Sequence, residues 1–329
     1  MLKRLYTSLL LLVLGVMTAG TVTYAWLNLQ TVNYVQQIEL EAISDSRLQI
    51  SLDGVNYYSS ITNDMLQPII RNLTFIDVTP ASDYQTFNRV VNVGTGDDVK
   101  RIPNRDFLWL PLWFRTIDIG QDPEHGRSIY LTNNYPGSSI SFLDTPQVGT
   151  YIVSKGVQFT SRYDFQYSPD YIWKRGDSGT FYGSETMRIM SKEVRNDFNP
   201  NDNRSDLEFT RFIFDPSENE SRGFGKTYGA IAYYQQVNGV LLSPPQSLPT
   251  ITKLSGYTQD GRTATNNVSL VTRLLKDGTY NDSLSMSPYW VGKAIIAIYC
   301  EGWDADCFDA CVNDTLQIQL QFMDLIPPY

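Results

Sequence analysis

Short runs in which apolar and polar residues alternate recur along this chain. Gln37-Ile38-Glu39-Leu40-Glu41-Ala42 changes character at nearly every position, which predicts a half-buried strand. Leu48-Gln49-Ile50-Ser51-Leu52 repeats the pattern and ends at the hairpin dipeptide Asp53-Gly54, so Val55 to Tyr58 is the expected return strand. Leu73 to Val78, stopped by Thr79-Pro80, and Ser128 to Thr132 read as further strands. Thr315 to Phe322 alternates most cleanly, with Leu316, Ile318, Leu320 and Phe322 on one face and glutamines on the other. Two stretches, Phe107 to Arg115 and Tyr289 to Tyr299, are apolar almost throughout but too short to span a membrane as helices. They predict central strands, with Pro111 marking a bulge or an edge. Ser184 to Arg195 is the best helix candidate beyond the N-terminus, because Met187, Ile189, Met190 and Val194 fall near helical spacing; a strand over Met187 to Met190 competes with it.

Turn formers fill 133–183 and 196–288, the second stretch long enough to be a loop-rich insertion. No repeat of fixed period occurs. The pattern predicts an all-β, mainly antiparallel fold over 37–329: a β-sandwich or jelly roll with long decorated loops and one or two short helices.

The N-terminus is different. Lys3 and Arg4 precede an apolar stretch over Leu9 to Met17, and Thr23 and Ala25 fit the small-residue positions of a secretory leader. Cleavage is expected between Ala25 and Trp26, which makes 1–25 a signal peptide and the protein secreted, extracellular or displayed at the cell surface. The rival is an uncut anchor, since Leu9 to Leu27 is a run of 19 residues without a charge. In either case the membrane is engaged only through this helix.

Composition narrows the chemistry. Aromatic residues at 13%, 21 of them Tyr, support an ordered sheet-rich fold. A net charge of −9 speaks against nucleic acid as a partner. The single histidine, His125, lies among turn formers and has no partner pattern for a catalytic triad or a His-centred metal site. The loop Glu301 to Asp309 concentrates carboxylates, and the expectation is a solvated acidic turn with no cofactor, because the turn glycine and closing glutamate of an EF-hand are missing. The alternative is a bound calcium with Asp304, Asp306 and Asp309 as oxygen ligands. Cys300, Cys307 and Cys311 permit one disulfide, either Cys300–Cys307 or Cys307–Cys311, and fit no zinc spacing. Arg175-Gly176-Asp177 reads as an ordinary turn, Gly223 to Gly229 lacks phosphate-loop spacing, and no acid pair stands out for glycoside hydrolysis. The expectation is a protein that is not an enzyme.

A leader ending in Thr-Tyr-Ala-Trp, the early run Leu48 to Gly54, the pair Leu112 to Arg115 and Ile129 to Leu131, and Tyr299 to Cys307 before the last alternating strand together resemble a group of exported bacterial surface proteins. Their leaders are similar to those of the TasA/camelysin fibre-forming family. The resemblance implies a jelly-roll subunit of an extracellular filament whose partners are copies of itself. In such fibres the segment after the leader completes the sheet of the next subunit by strand addition. Carried over, the donor segment is 26–36, with Trp26, Leu27, Leu29, Val32 and Tyr34 as contacts to the neighbour. The alternatives are a membrane-tethered monomeric adhesion domain and, behind it, a secreted hydrolase.

Overall fold

The computed structural model describes residues 33–42, 47–90, 101–117, 126–133, 141–144, 148–278, 289–311 and 313–328. Residues 1–32, and with them Ala25, Trp26, Leu27, Leu29 and Val32, lie outside the described residues, as does His125. In chain order the strands are β1 (Tyr34–Ala42), β2 (Gln49–Ser51), β3 (Ser60–Ile61), β4 (Asp77–Pro80), β5 (Phe87–Arg89), β6 (Leu108–Ile117), β7 (Arg127–Thr132), β8 (Tyr151–Ser154) and β9 (Val157–Thr160). They continue as β10 (Phe165–Ser168), β11 (Tyr171–Trp173), β12 (Ser178–Phe181), β13 (Met187–Glu193), β14 (Arg211–Phe214), β15 (Thr250–Ile251), β16 (Leu270–Lys276), β17 (Tyr289–Glu301) and β18 (Thr315–Leu325). Two α-helices are described, α1 (Asn63–Ile70) and α2 (Ala230–Asn238). The fold is all-β and mainly antiparallel; the pairs β1–β18, β14–β15 and β4–β17 are parallel.

Two layers face each other across one core. The first centres on β18, flanked by β1 on one edge and by β8 and then β7 on the other. The second centres on β17, flanked by β6 and by β13. β16 pairs with both β7 and β17 and so joins the layers. Leu316, Ile318, Leu320 and Phe322 of β18 meet Leu108, Leu110, Leu112 and Phe114 of β6 in a single cluster, and the rings of Phe114 and Phe322 cross edge-to-face at 5.1 Å.

The apolar run of β17 has its cause in this arrangement. Ile296 and Ile298 face the central core, while Ala297 and Tyr299 face a second cluster on the outside of the sheet, with Phe87 stacked on Phe107 at 4.1 Å. A strand covered on both faces has no polar side to show. The same reason overturns the helix expected over Ser184 to Arg195. Gly183–Thr186 is a single 3-10 turn and β13 follows, with all seven of its residues buried: Met187 and Ile189 inward, Met190 outward.

Other expectations are corrected in detail. Val55 to Tyr58 does not return as a strand; Asp53 accepts hydrogen bonds from the backbone of Val55 and Asn56, and only Tyr58 bridges back to Ile50. Thr79-Pro80 does not stop the fourth strand but belongs to it, opposite Asn88 and Phe87. The glutamine face of β18 is not open to water: Gln319 and Gln321 are buried, and Gln319 accepts from the Tyr151 hydroxyl at 2.9 Å and donates to Glu41 at 3.2 Å. Pro111 pairs with Ile295 of β17 where β2, which covers only Trp113 to Arg115, no longer reaches, so it does sit at a local edge.

A candidate site of buried carboxylates and guanidinium groups

The turn after β17 places Glu301, Asp304 and Asp306 beneath the surface, at 4%, 1% and 6% exposure. Two arginines from elsewhere reach them. Arg188 leaves the outer face of β13 and points one nitrogen at both Asp215, at 2.9 Å, and Asp304. Its other terminal nitrogen donates to the carbonyls of Glu185 (3.1 Å) and Met187 (2.9 Å). Arg222 donates to Asp306 (2.6 Å), to the Tyr167 carbonyl (2.6 Å) and to the Ala305 carbonyl (3.2 Å), and its guanidinium lies 3.7 Å from the centre of the Tyr167 ring. Glu301 accepts from the Trp303 amide (3.2 Å) and the Thr79 hydroxyl (3.3 Å).

Carboxylates outnumber guanidinium groups in this cluster, and burial makes the surplus costly to ionise. Burial is the main cause that pushes Glu301 up to about 8 and Asp304 up to about 7, the second against the pull of Arg188. Glu185, in the 3-10 turn beside Arg188, is pushed up to about 6 by burial and by the charges of Asp306 and Asp215. Near neutral pH the cluster therefore holds protons as well as ion pairs.

The backbone is shaped to admit it. Gly229, just before α2, has φ +67°, and a Cβ there would collide with the carbonyl of Ala305. The same carbonyl accepts the Ala230 amide at 2.8 Å. Gly302 abuts Val90 in the same way, so a side chain on it has no room.

Beside the cluster runs a cleft of about 770 Å³ along β8. Ile152, Ser154, Lys155, Tyr182, Glu185 and Glu218 are among the residues that line it. Glu185 is thus the one member of the cluster that also faces this space.

Comparison with family models, with curated proteins and with solved structures returns no match.

The three aspartates suggested as calcium ligands take separate partners: Asp304 takes Arg188, Asp306 takes Arg222, and Asp309 accepts from the Tyr233 hydroxyl at 2.9 Å. Among the described residues no group of three potential ligands is placed to hold a metal ion. The turn is acidic but not solvated. Of the cysteines, Cys300 and Cys307 bring their sulfurs to 3.6 Å, while the Cys311 thiol points at the Asp306 carbonyl at 3.0 Å. Asp177 of the Arg-Gly-Asp tripeptide accepts from the Lys174 amide within a tight turn, and Gly176 has φ +95°.

Arg188, Asp215, Arg222 and Glu185 are the members that sequence reasoning missed. Arg188 did leave a signal, a lone charge within Met187-Arg188-Ile189-Met190. Arg222 and Asp215 left none, because they sit at the two ends of a run, Asp215 to Gly223, that looks like an exposed loop.

Proposed function

We propose that this chain is a structural subunit of an extracellular filament, joined head to tail when the segment after Ala25 of one copy adds as a strand to the next; of the donor segment expected over 26–36, the part from Asn33 onward, Tyr34 included, is paired inside its own domain, which leaves 26–32 to be donated. The observation that carries this reading is the way the chain enters its domain. Asn33 is fully buried, its backbone bridges Phe75 in both directions at 3.4 Å, and its side chain accepts the Asp314 amide at 3.1 Å. From Tyr34 onward β1 is paired with β18. Leader-like residues thus precede a domain whose first described residues are pinned, and the seven residues between Ala25 and Asn33 (Trp26-Leu27-Asn28-Leu29-Gln30-Thr31-Val32) are uncharged and alternate in part.

The cleft along β8 suits such a segment. Seven extended residues reach about 23 Å, longer than the four residues of β8. Leu143 and Tyr182, the exposed apolar residues of its lining, offer contacts for Leu27 and Leu29, and in strand addition backbone hydrogen bonds set the register. A contact of this kind joins unlike surfaces and does not close on itself, so it propagates a fibre.

N-terminal sequencing of the secreted protein tests the first half: Trp26 at the start is expected. Deletion of 26–32 is expected to abolish fibres seen by negative stain while leaving a folded monomer. Intact Met1 in the membrane fraction would instead establish a tethered surface domain.

A further inference from the structure

Two thiols meet at the base of the carboxylate turn. Cys300, the penultimate residue of β17, is fully buried on the central-core face. Cys307 is half-buried and packs against the same core, and the two sulfurs are 3.6 Å apart. A disulfide bond is about 2.05 Å long, so bond formation requires side-chain rotation that draws the sulfurs together by about 1.5 Å. Cys311 is turned away, toward the carbonyls of Asp306 (3.0 Å) and Tyr182 (3.8 Å).

We propose that Cys300 and Cys307 are a disulfide site that locks the turn Glu301–Asp306, with Cys311 remaining a thiol. The inference stands apart from the filament reading, since it needs only an oxidant of the disulfide class. Cys307, the more accessible sulfur, attacks a small-molecule disulfide as the thiolate; a mixed disulfide forms and one thiolate leaves. The Cys300 thiolate then attacks the Cys307 sulfur, forms the intramolecular bond and releases the second thiolate. The protons of Cys300 and Cys307 pass to the released thiolates, and the oxidant is reduced by two electrons.

The lock would have a mechanical role. The six residues it encloses include Glu301, Asp304 and Asp306, whose partners lie on β4, on β13 and in the segment at Arg222. Closing this loop fixes the carboxylates before their partners dock. Contact with the Cys300 thiol and burial hold the Cys307 thiol well above its ordinary range, so oxidation is slow in the folded protein and fastest during folding.

The test uses the full chain, unfolded under reducing conditions and refolded with or without oxidised glutathione. Free thiols are then alkylated, and the protein is digested with a protease that cuts before aspartate. Cuts at Asp304, Asp306 and Asp309 put the three cysteines on separate peptides. A Cys300 peptide linked to a Cys307 peptide, with Cys311 alkylated, is the expected product. The linked form should also melt roughly 5 °C higher than the reduced form, an increment that reductant removes. Cys311→Ala should keep the link and Cys307→Ala should lose it. Alkylation of both Cys300 and Cys307 in the refolded wild-type protein, or a Cys307–Cys311 link, would overturn the proposal even if either variant failed to fold.

Discussion

Glu301 is 4% exposed and held by one amide and one hydroxyl, with no ion pair among the described residues. Its carboxyl is raised to about 8, from an unfolded value near that of an ordinary glutamate. The folded state therefore binds this proton more tightly than the unfolded state does. The stability this supplies is complete below about pH 4.3 and is lost as pH rises to about 8, at up to about 1.4 kcal/mol per pH unit. Asp304 and Glu185, raised to about 7 and about 6, add to the same trend. Urea midpoints measured from pH 5 to pH 8 should fall for the wild type and fall less steeply for Glu301→Gln, which mimics the protonated acid. Arg188 makes the opposite case. Arg188→Met leaves Asp215 and Asp304 buried without their cation and should cost about 3–5 kcal/mol in the same assay at neutral pH. Replacing both aspartates by leucine as well should return part of that loss, because a paired buried charge is not itself a large source of stability.

At the scale of elements, the turn after β17 and the start of α2 are built as one piece. Gly229 has positive φ and lies against the Ala305 carbonyl, so Gly229→Ala combines backbone strain with a collision. It should destabilise by more than about 1 kcal/mol in thermal unfolding, whereas Gly239→Ala, at a positive-φ position with open space, should cost only the strain. Single elements were legible in the sequence wherever one face is wet or one side is core. β1, β2 and the inward face of β18 follow from alternation alone. Legibility failed where both faces are covered. β13 buries Met187 and Ile189 on one side and Met190 on the other, and that spacing is shared by a helix. It failed too where a polar residue works in the interior. The carboxylates of the turn could be picked out by their density, but the arginines that neutralise them come from β13 and from a Ser- and Asn-rich run more than 80 residues earlier, and only the fold brings them together.

At the scale of the whole molecule, the N- and C-terminal strands lie side by side, β1 parallel to β18, and Asn33 is tied to Asp314. An arm that leaves from this seam has a fixed origin, which is what a subunit needs if it is to insert the arm into a neighbour at a constant angle. The buried charges hold the turn between the segment at Arg222 and the sheet, beside the cleft that Glu185 lines. The most direct test of strand donation is a cross-link between copies. A chain carrying Leu29→Cys and Lys155→Cys places one thiol in the proposed donor segment and one on the exposed residue that follows β8 and lines the cleft. Mild oxidation of the assembled protein should give a ladder of covalent oligomers on a non-reducing gel, collapsing to monomer with reductant and missing from either single variant. A product that is only monomer, while fibres are present in the same sample, would contradict the account.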